Sequence, residues 1–342
     1  MPPERVRATE RLQMIIDGVD FPGGQHCETT AAGALLRHGG LDLSEAMLFG
    51  LGEGLGFIYW DAKSMDVPFL GGRSKPGMIV RTLADRLGLA LEVRETGSPA
   101  KAWRDVVTEI DAGRPVGLQL DSYHLEYFSS KVHFGGHVVA MRGYDDTDAY
   151  LVDTAQQGGL VRTSLASLAQ ARAARGPMTA RHLSFTLTVP SGRPALGDVI
   201  RAAVRGNAQT FLGPPIANLG HRGIAAAAKR IVTWPDRAAD PARDLPVAAM
   251  LMERGGTGGA LFRNLYRDFL AQCLTIVDDP HLRDAHEMYA AIAPLWTDVA
   301  TLIESTGRSG RREPLLRASA LLSELATREH EAMRTLATFA TG

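Results

Sequence analysis

A chain of 342 residues exceeds one typical domain, so two domains are expected. Its 45% hydrophobic and 22% charged residues describe a globular protein with a real core, and a net charge of −1 excludes a general nucleic-acid or membrane-surface binder. Only Cys27 and Cys273 are present, which excludes a disulfide framework and favours a reducing cytoplasm; no signal peptide or membrane-length apolar run is visible.

The first predicted element carries the chemistry. Gly23-Gly24 permits a sharp bend into Gln25-His26-Cys27, and the apolar residues Ala31, Ala32, Ala34, Leu35 and Leu36 then run to a stop at Gly39-Gly40. A helix over 28–39 is therefore expected, with Cys27 at or next to its N-terminus. Helix N-termini present unpaired N–H groups and a positive dipole end, which favour a thiolate and can hold an oxyanion. The competing reading is a small buried hydrophobe, but the flanks are polar and Gly-rich.

Ser44 to Leu55 reads as a second helix with Ser44 as N-cap, and 57–60 as a short strand. Helical spacing recurs from Lys75 to Leu87, closed by Gly88, and a strand follows over 89–93. Pro99 to Ala112 is a helix and 115–120 a strand. From His137 the pattern is β: a buried strand at 138–141, a turn at Asp145–Asp148, a return strand over 149–152 ending at Asp153, and a turn at Gly158-Gly159 into 160–162. A helix over 164–174 and a strand over 182–189 complete this half. Pro190–Pro194 is the expected domain boundary. Beyond it the expectation is helices at about 196–212, 222–234, 246–254, 260–277, 281–304 and 312–340.

A nucleophilic cysteine needs a base and a group to orient that base. His137, heading the β-hairpin, and Asp153, ending it, are the candidates. An odd-numbered loop sets Asp153 opposite Val139 and on the His137 face, while a four-residue loop separates them unless a bulge intervenes. Each residue also has a plain structural reading, as a satisfied core histidine and a strand-end turn residue. His133 and His137 have helical zinc-ligand spacing, but Gly135-Gly136 between them opposes a helix, so no metal is assigned.

Gln25-His26-Cys27-Glu28-Thr29, the stretch 121–127 (DSYHLEY), His133-Phe134-Gly135-Gly136-His137-Val138-Val139, Gly143-Tyr144-Asp145 and Asp153, in this order, resemble the butirosin biosynthesis protein H family. Residues 254–259 and Phe262-Arg263-Asn264-Leu265-Tyr266 are similar to the helical domain that often follows it. The resemblance implies an α+β, papain-like cysteine peptidase fold over 1–190 and an all-α domain over 195–342. It implies acyl transfer from an acyl-carrier-protein thioester to the amine of a small molecule, an amide-forming step of antibiotic or other secondary metabolism. Carried over by position, Cys27 is the nucleophile, His137 the base and Asp153 the orienter.

The papain-like relatives place an oxyanion glutamine several residues before the cysteine, whereas Gln25 is two before it, so Gln25 or Gln119 is assigned with the Cys27 N–H. Asp121, Tyr123 and Tyr127 are the substrate-binding candidates; Asp121, Glu126 and Asp145-Asp146 offer negative charge to a cationic amine, against the commoner reading of such a charge run as a solvated loop. Arg254, Gly256 and Arg263 are candidates for the phosphate of a phosphopantetheine arm, against a plain helix connection. Arg308, Arg311 and Arg312 form a basic loop that reads as solvated surface, with the docking of an acidic carrier protein as the alternative, and Cys273 reads as core. The alternatives are a cysteine peptidase or amidase, in which water resolves the acyl-enzyme, and a catalytically inactive binding module. A bacterial cytoplasmic location and an optional homodimer complete the expectations, with no tightly bound cofactor.

Overall fold

Alternating and helical apolar spacings form strands and helices close to those expected, and two short strands join them. The computed structural model describes residues 13–62, 65–253 and 257–339. Among these the strands are β1 (Met14–Ile15), β2 (Leu55–Trp60), β3 (Phe69–Arg73), β4 (Ala90–Arg94), β5 (Val116–Leu120), β6 (His137–Tyr144), β7 (Asp148–Val152), β8 (Leu160–Ser164) and β9 (Ser184–Thr188). The helices are α1 (Cys27–His38), α2 (Glu45–Leu51), α3 (Met78–Leu87), α4 (Pro99–Asp111), α5 (Leu165–Ala173), α6 (Leu196–Leu212), α7 (Gly220–Arg230), α8 (Trp234–Arg237), α9 (Pro241–Glu253), α10 (Ala260–Cys273), α11 (Pro280–Ser309) and α12 (Glu313–Phe339). The protein is thus mixed α/β, with an antiparallel sheet and a helical C-terminal part. Among the described residues no helix is long and apolar enough to cross a membrane.

Contacts divide the chain into one unit of 1–42 with 90–189 and another of 43–89 with 190–342. The segment 43–89, which the sequence reading includes in a domain of 1–190, thus groups with the helices of the C-terminal half.

In the first unit the antiparallel strands run in the order β4-β9-β5-β6-β7-β8, with β1 on the far end of β6. Every residue of β5 is buried, as is β6 from His137 to Met141, which explains why both are apolar apart from Gln119 and His137. Helix α1 lies against β5, β6, β7 and β9, and all its residues from Cys27 to Leu36 are buried. An all-round buried helix has little amphipathic stripe. Its identity is carried by small residues and by its ends.

In the second unit the β2–β3 hairpin joins α2, α3 and the helices from α6 onward. Phe49 stacks on Phe262 at 5.4 Å, and Phe57 meets Trp296 at 5.4 Å. The helix expected from residue 246 begins at Pro241 and continues through Pro246. A proline inside a helix forfeits one backbone hydrogen bond. Here its ring fills the space left by the missing side chain of Gly307, where a Cβ would stand 2.4 Å from Pro246 Cδ.

At the centre of this unit Arg263 and Glu329 form a fully buried ion pair. Arg263 Nε and Nη2 donate to the two carboxylate oxygens at 2.9 and 2.8 Å, and Trp296 Nε1 donates to Oε1 at 2.6 Å. Arg263 Nη1 donates to the Gly72 carbonyl at 3.2 Å, and the guanidinium lies 4.6 Å from the Trp296 ring centre.

Candidate functional site

The site begins with strand register. Tyr144 pairs with Ala149 across a four-residue turn, a length that by itself sends His137 and Asp153 to opposite faces. A bulge between Met141 and Gly143 shifts the register by one, so Ala140 pairs with Val152. Continued by one step, Asp153 stands opposite Val139 and on the His137 face. The turn is locked by Asp145, whose Oδ1 accepts from the Thr147 and Asp148 amides, both at 2.8 Å, and whose Oδ2 accepts from Tyr150 at 2.8 Å. These bonds hold the Asp145 carboxyl well below the usual range, and they commit it to the turn.

The result is a direct contact: His137 Nε2 lies 2.8 Å from Asp153 Oδ2. Asp153 is 1% exposed and accepts only from donors. Oδ1 takes the Thr154 amide at 2.7 Å, and Oδ2 also takes the Tyr127 hydroxyl at 2.8 Å. The Phe128 ring stands edge-to-face to the imidazole at 5.1 Å. Burial opposes a charge on His137, but the Asp153 carboxylate beside it, and then the Cys27 side chain, push its pKa up to about 10. With Nε2 given to Asp153, Nδ1 is the nitrogen left for the sulfur.

Cys27 is the first residue of α1 and is 8% exposed. The loop before it is tied to the loop after Asp153. The Ala155 amide donates to the Gly24 carbonyl at 2.8 Å, and the Asp153 amide donates to the Gly159 carbonyl at 2.8 Å. Gly159 packs on Phe21, where a Cβ would stand 2.8 Å from the ring. Gly23, at φ 78°, takes the left-handed turn that aims the chain into α1. Three distant stretches thereby converge on one imidazole.

Two outcomes follow from this geometry. A histidine with a raised folded-state pKa adds stability that is complete below its unfolded pKa, about 6.5, and is lost as pH rises toward its folded value. In a Cys27→Ala background, the free energy of urea unfolding is expected to fall as pH rises above 6.5, and Asp153→Asn should flatten that fall. An unchanged slope in the Asp153 variant counts against the coupling. Second, Tyr127→Phe removes a hydroxyl donor from a buried carboxylate and should cost about 1.5–3 kcal/mol in denaturant unfolding. The Tyr127 phenol, pushed well above its usual pKa by burial and by the Asp153 charge, remains a donor throughout the physiological range.

Other candidates stand elsewhere or are otherwise engaged. Gln119 is buried and its amide donates to the Gly135 and Met178 carbonyls at 3.1 and 2.7 Å, so it braces two loops and has no N–H left for an oxyanion. Glu126 caps α5 through the Ser164 amide and hydroxyl at 3.0 and 2.7 Å, which removes it from the charges offered to an amine. Asp121 is buried and bound to the Tyr123 and Phe134 amides and to His133. Tyr123 is exposed and stacks on His133, and Gln25 is exposed two residues before the sulfur. Arg263 is sealed in its pair with Glu329, which corrects its assignment to a phosphate. Arg254 and Gly256 lie outside the described residues. Cys273 is buried, and burial pushes its thiol up, as expected of core.

Sequence reasoning placed Tyr127 with the substrate and missed its bond to Asp153. The spacing gives no clue to it, because the contact crosses from a loop to a strand end.

The family profile described as butirosin biosynthesis protein H, N-terminal, matches residues 26–154, a span that contains Cys27, His137 and Asp153. A second profile, a domain of unknown function (DUF4872), matches residues 166–336. No curated protein matches the chain.

Proposed function

The chain belongs to the butirosin biosynthesis protein H family, and on that premise we propose that it is a cysteine-dependent acyltransferase of secondary metabolism, moving an acyl group from a carrier-protein thioester to the amine of a small molecule. The observation that carries this reading is the buried His137–Asp153 contact with Cys27 on the same imidazole, at the start of a helix. The nucleophile–base–orienter order along the chain and the neighbouring sheet agree with a papain-like arrangement of the first unit.

Each step uses these groups. A cation beside sulfur favours the thiolate, which attacks the thioester carbonyl. The Cys27 backbone N–H and the Gln25 side chain are the donors assigned to the oxyanion. As the tetrahedral adduct collapses, the bond from the carbonyl carbon to the pantetheine sulfur breaks, and His137 gives its proton to the departing thiol. The amine then attacks the acyl-cysteine, His137 takes the amine proton, and the C–S bond to Cys27 breaks to leave an amide and a free cysteine. Asp153 holds the ring with Nε2–H toward itself, so that Nδ1 faces the sulfur throughout.

Incubation with a simple acyl-pantetheine thioester, followed by intact-mass measurement, tests the proposal. One acyl adduct, discharged faster by added amines than by water, is expected. Discharge to water with no amine preference identifies a hydrolase instead. The absence of any adduct with several thioesters, together with a Cys27 inert to iodoacetamide at neutral pH, leaves a binding module.

A further inference from the structure

Outside the Cys27 site, the first unit holds a second cluster of chemically capable side chains. We propose that Asp121, His124 and His133 bind one divalent transition-metal ion of the zinc class. One carboxylate oxygen and one ring nitrogen from each histidine all lie within 4.8 Å of one another. Two imidazoles and a carboxylate form a donor set that zinc accepts, with a further position left for water.

The donors are held in place before any ion arrives. Asp121 Oδ1 accepts from the Tyr123 and Phe134 amides at 3.1 and 2.9 Å, which turns Oδ2 toward His133, 2.8 Å from its Nδ1. Tyr123 lies flat on the His133 ring at 3.9 Å and stands edge-on to His124 at 5.2 Å, fixing both rings. Outer contacts of this kind orient metal ligands and sharpen affinity. The Asp121 side chain is 4% exposed and the His133 side chain 66% exposed, so the ion has an anchored carboxylate below and an open approach above.

The ligands also share one loop. Asp121 follows β5, His124 ends a single helical turn, and His133 precedes Phe134, whose amide is bound to Asp121. An ion there clasps the two ends of the segment that carries Tyr127 and Phe128 to Asp153 and His137. This site does not depend on the acyl-transfer reading.

The test uses the full chain with Cys27→Ala, which removes the other sulfur–imidazole pair able to take a soft ion. After chelator treatment it is titrated with Co2+, read by visible absorption, and with Zn2+, read by calorimetry. One equivalent of each is expected, with the cobalt bands of a low-coordinate site and a zinc-dependent rise in melting temperature. His124→Ala and His133→Ala should each weaken binding by at least about tenfold. Because His133 is largely exposed, its variant should stay folded without metal, and loss of the zinc-dependent rise above that variant's own metal-free melting temperature separates ligation from folding. Absence of stoichiometric binding, or binding that survives both substitutions, overturns the site.

Discussion

Cys27→Ala protein should carry no acyl group after incubation with an acyl-pantetheine thioester, and its amide-forming rate should fall by at least about 10⁴-fold. The more discriminating variant is Asp153→Asn. A Cys–His pair oriented by asparagine is chemically sound elsewhere, so the outcome rests on what surrounds this carboxylate. Asp153 Oδ1 faces the Thr154 N–H, and Oδ2 faces the Tyr127 hydroxyl and His137 Nε2. An amide nitrogen at the first position meets another donor. At the second it forces the imidazole to bare Nε2 and protonate Nδ1, which leaves nothing to accept the Cys27 proton. We therefore expect Asp153→Asn to lose about 10³–10⁴-fold in rate, with its largest loss of stability below pH 6.5, where the His137–Asp153 ion pair is complete. A loss under about tenfold in single-turnover acylation would show that the carboxylate only fills space.

The largest loss of stability is expected in the second unit. Glu329→Ala leaves the Arg263 guanidinium with no counter-charge in a fully buried setting and takes away the acceptor of Trp296 Nε1. Removing one partner of a buried pair costs about 3–5 kcal/mol, whereas replacing both with apolar residues is often neutral. The double variant Arg263→Met, Glu329→Leu should therefore melt above either single truncation in calorimetry. If the double variant is the least stable of the three, the pair contributes net attraction beyond its desolvation cost.

The sequence made much of the fold legible because its punctuation is local. Ser44 accepts the Met47 amide as the N-cap of α2, Gly88 closes α3 in the left-handed conformation, and α6 spans the residues its apolar spacing marks. Local signals cannot report partners. Strand β3, which includes Gly71 and Gly72, reads as a loop until β2 is seen beside it, and the Gly72 amide also donates to the Thr257 carbonyl at 2.7 Å. The His137–Asp153 pairing was legible only as two alternatives of loop length. What decides between them is the bulge at Arg142, where Gly143 admits the close backbone of β1, with Met14 O 2.3 Å from a built Cβ. Arg263 was misread for the complementary reason. A glycine-rich approach and an arginine resemble a phosphate cradle in one dimension, while its true counter-ion lies far along the chain, at Glu329.

The interleaving of the two units sets a schedule for the nascent polypeptide. Phe49 and Phe57 leave the ribosome long before Phe262 and Trp296, the rings that cover them, have been translated. For that interval the first half holds an oily hairpin and helix awaiting a mate, a condition that invites chaperone capture or clumping. A gene cut at the Pro190–Pro194 linker would make this interval permanent, so the first unit is better studied by disabling the remainder in place than by deleting it.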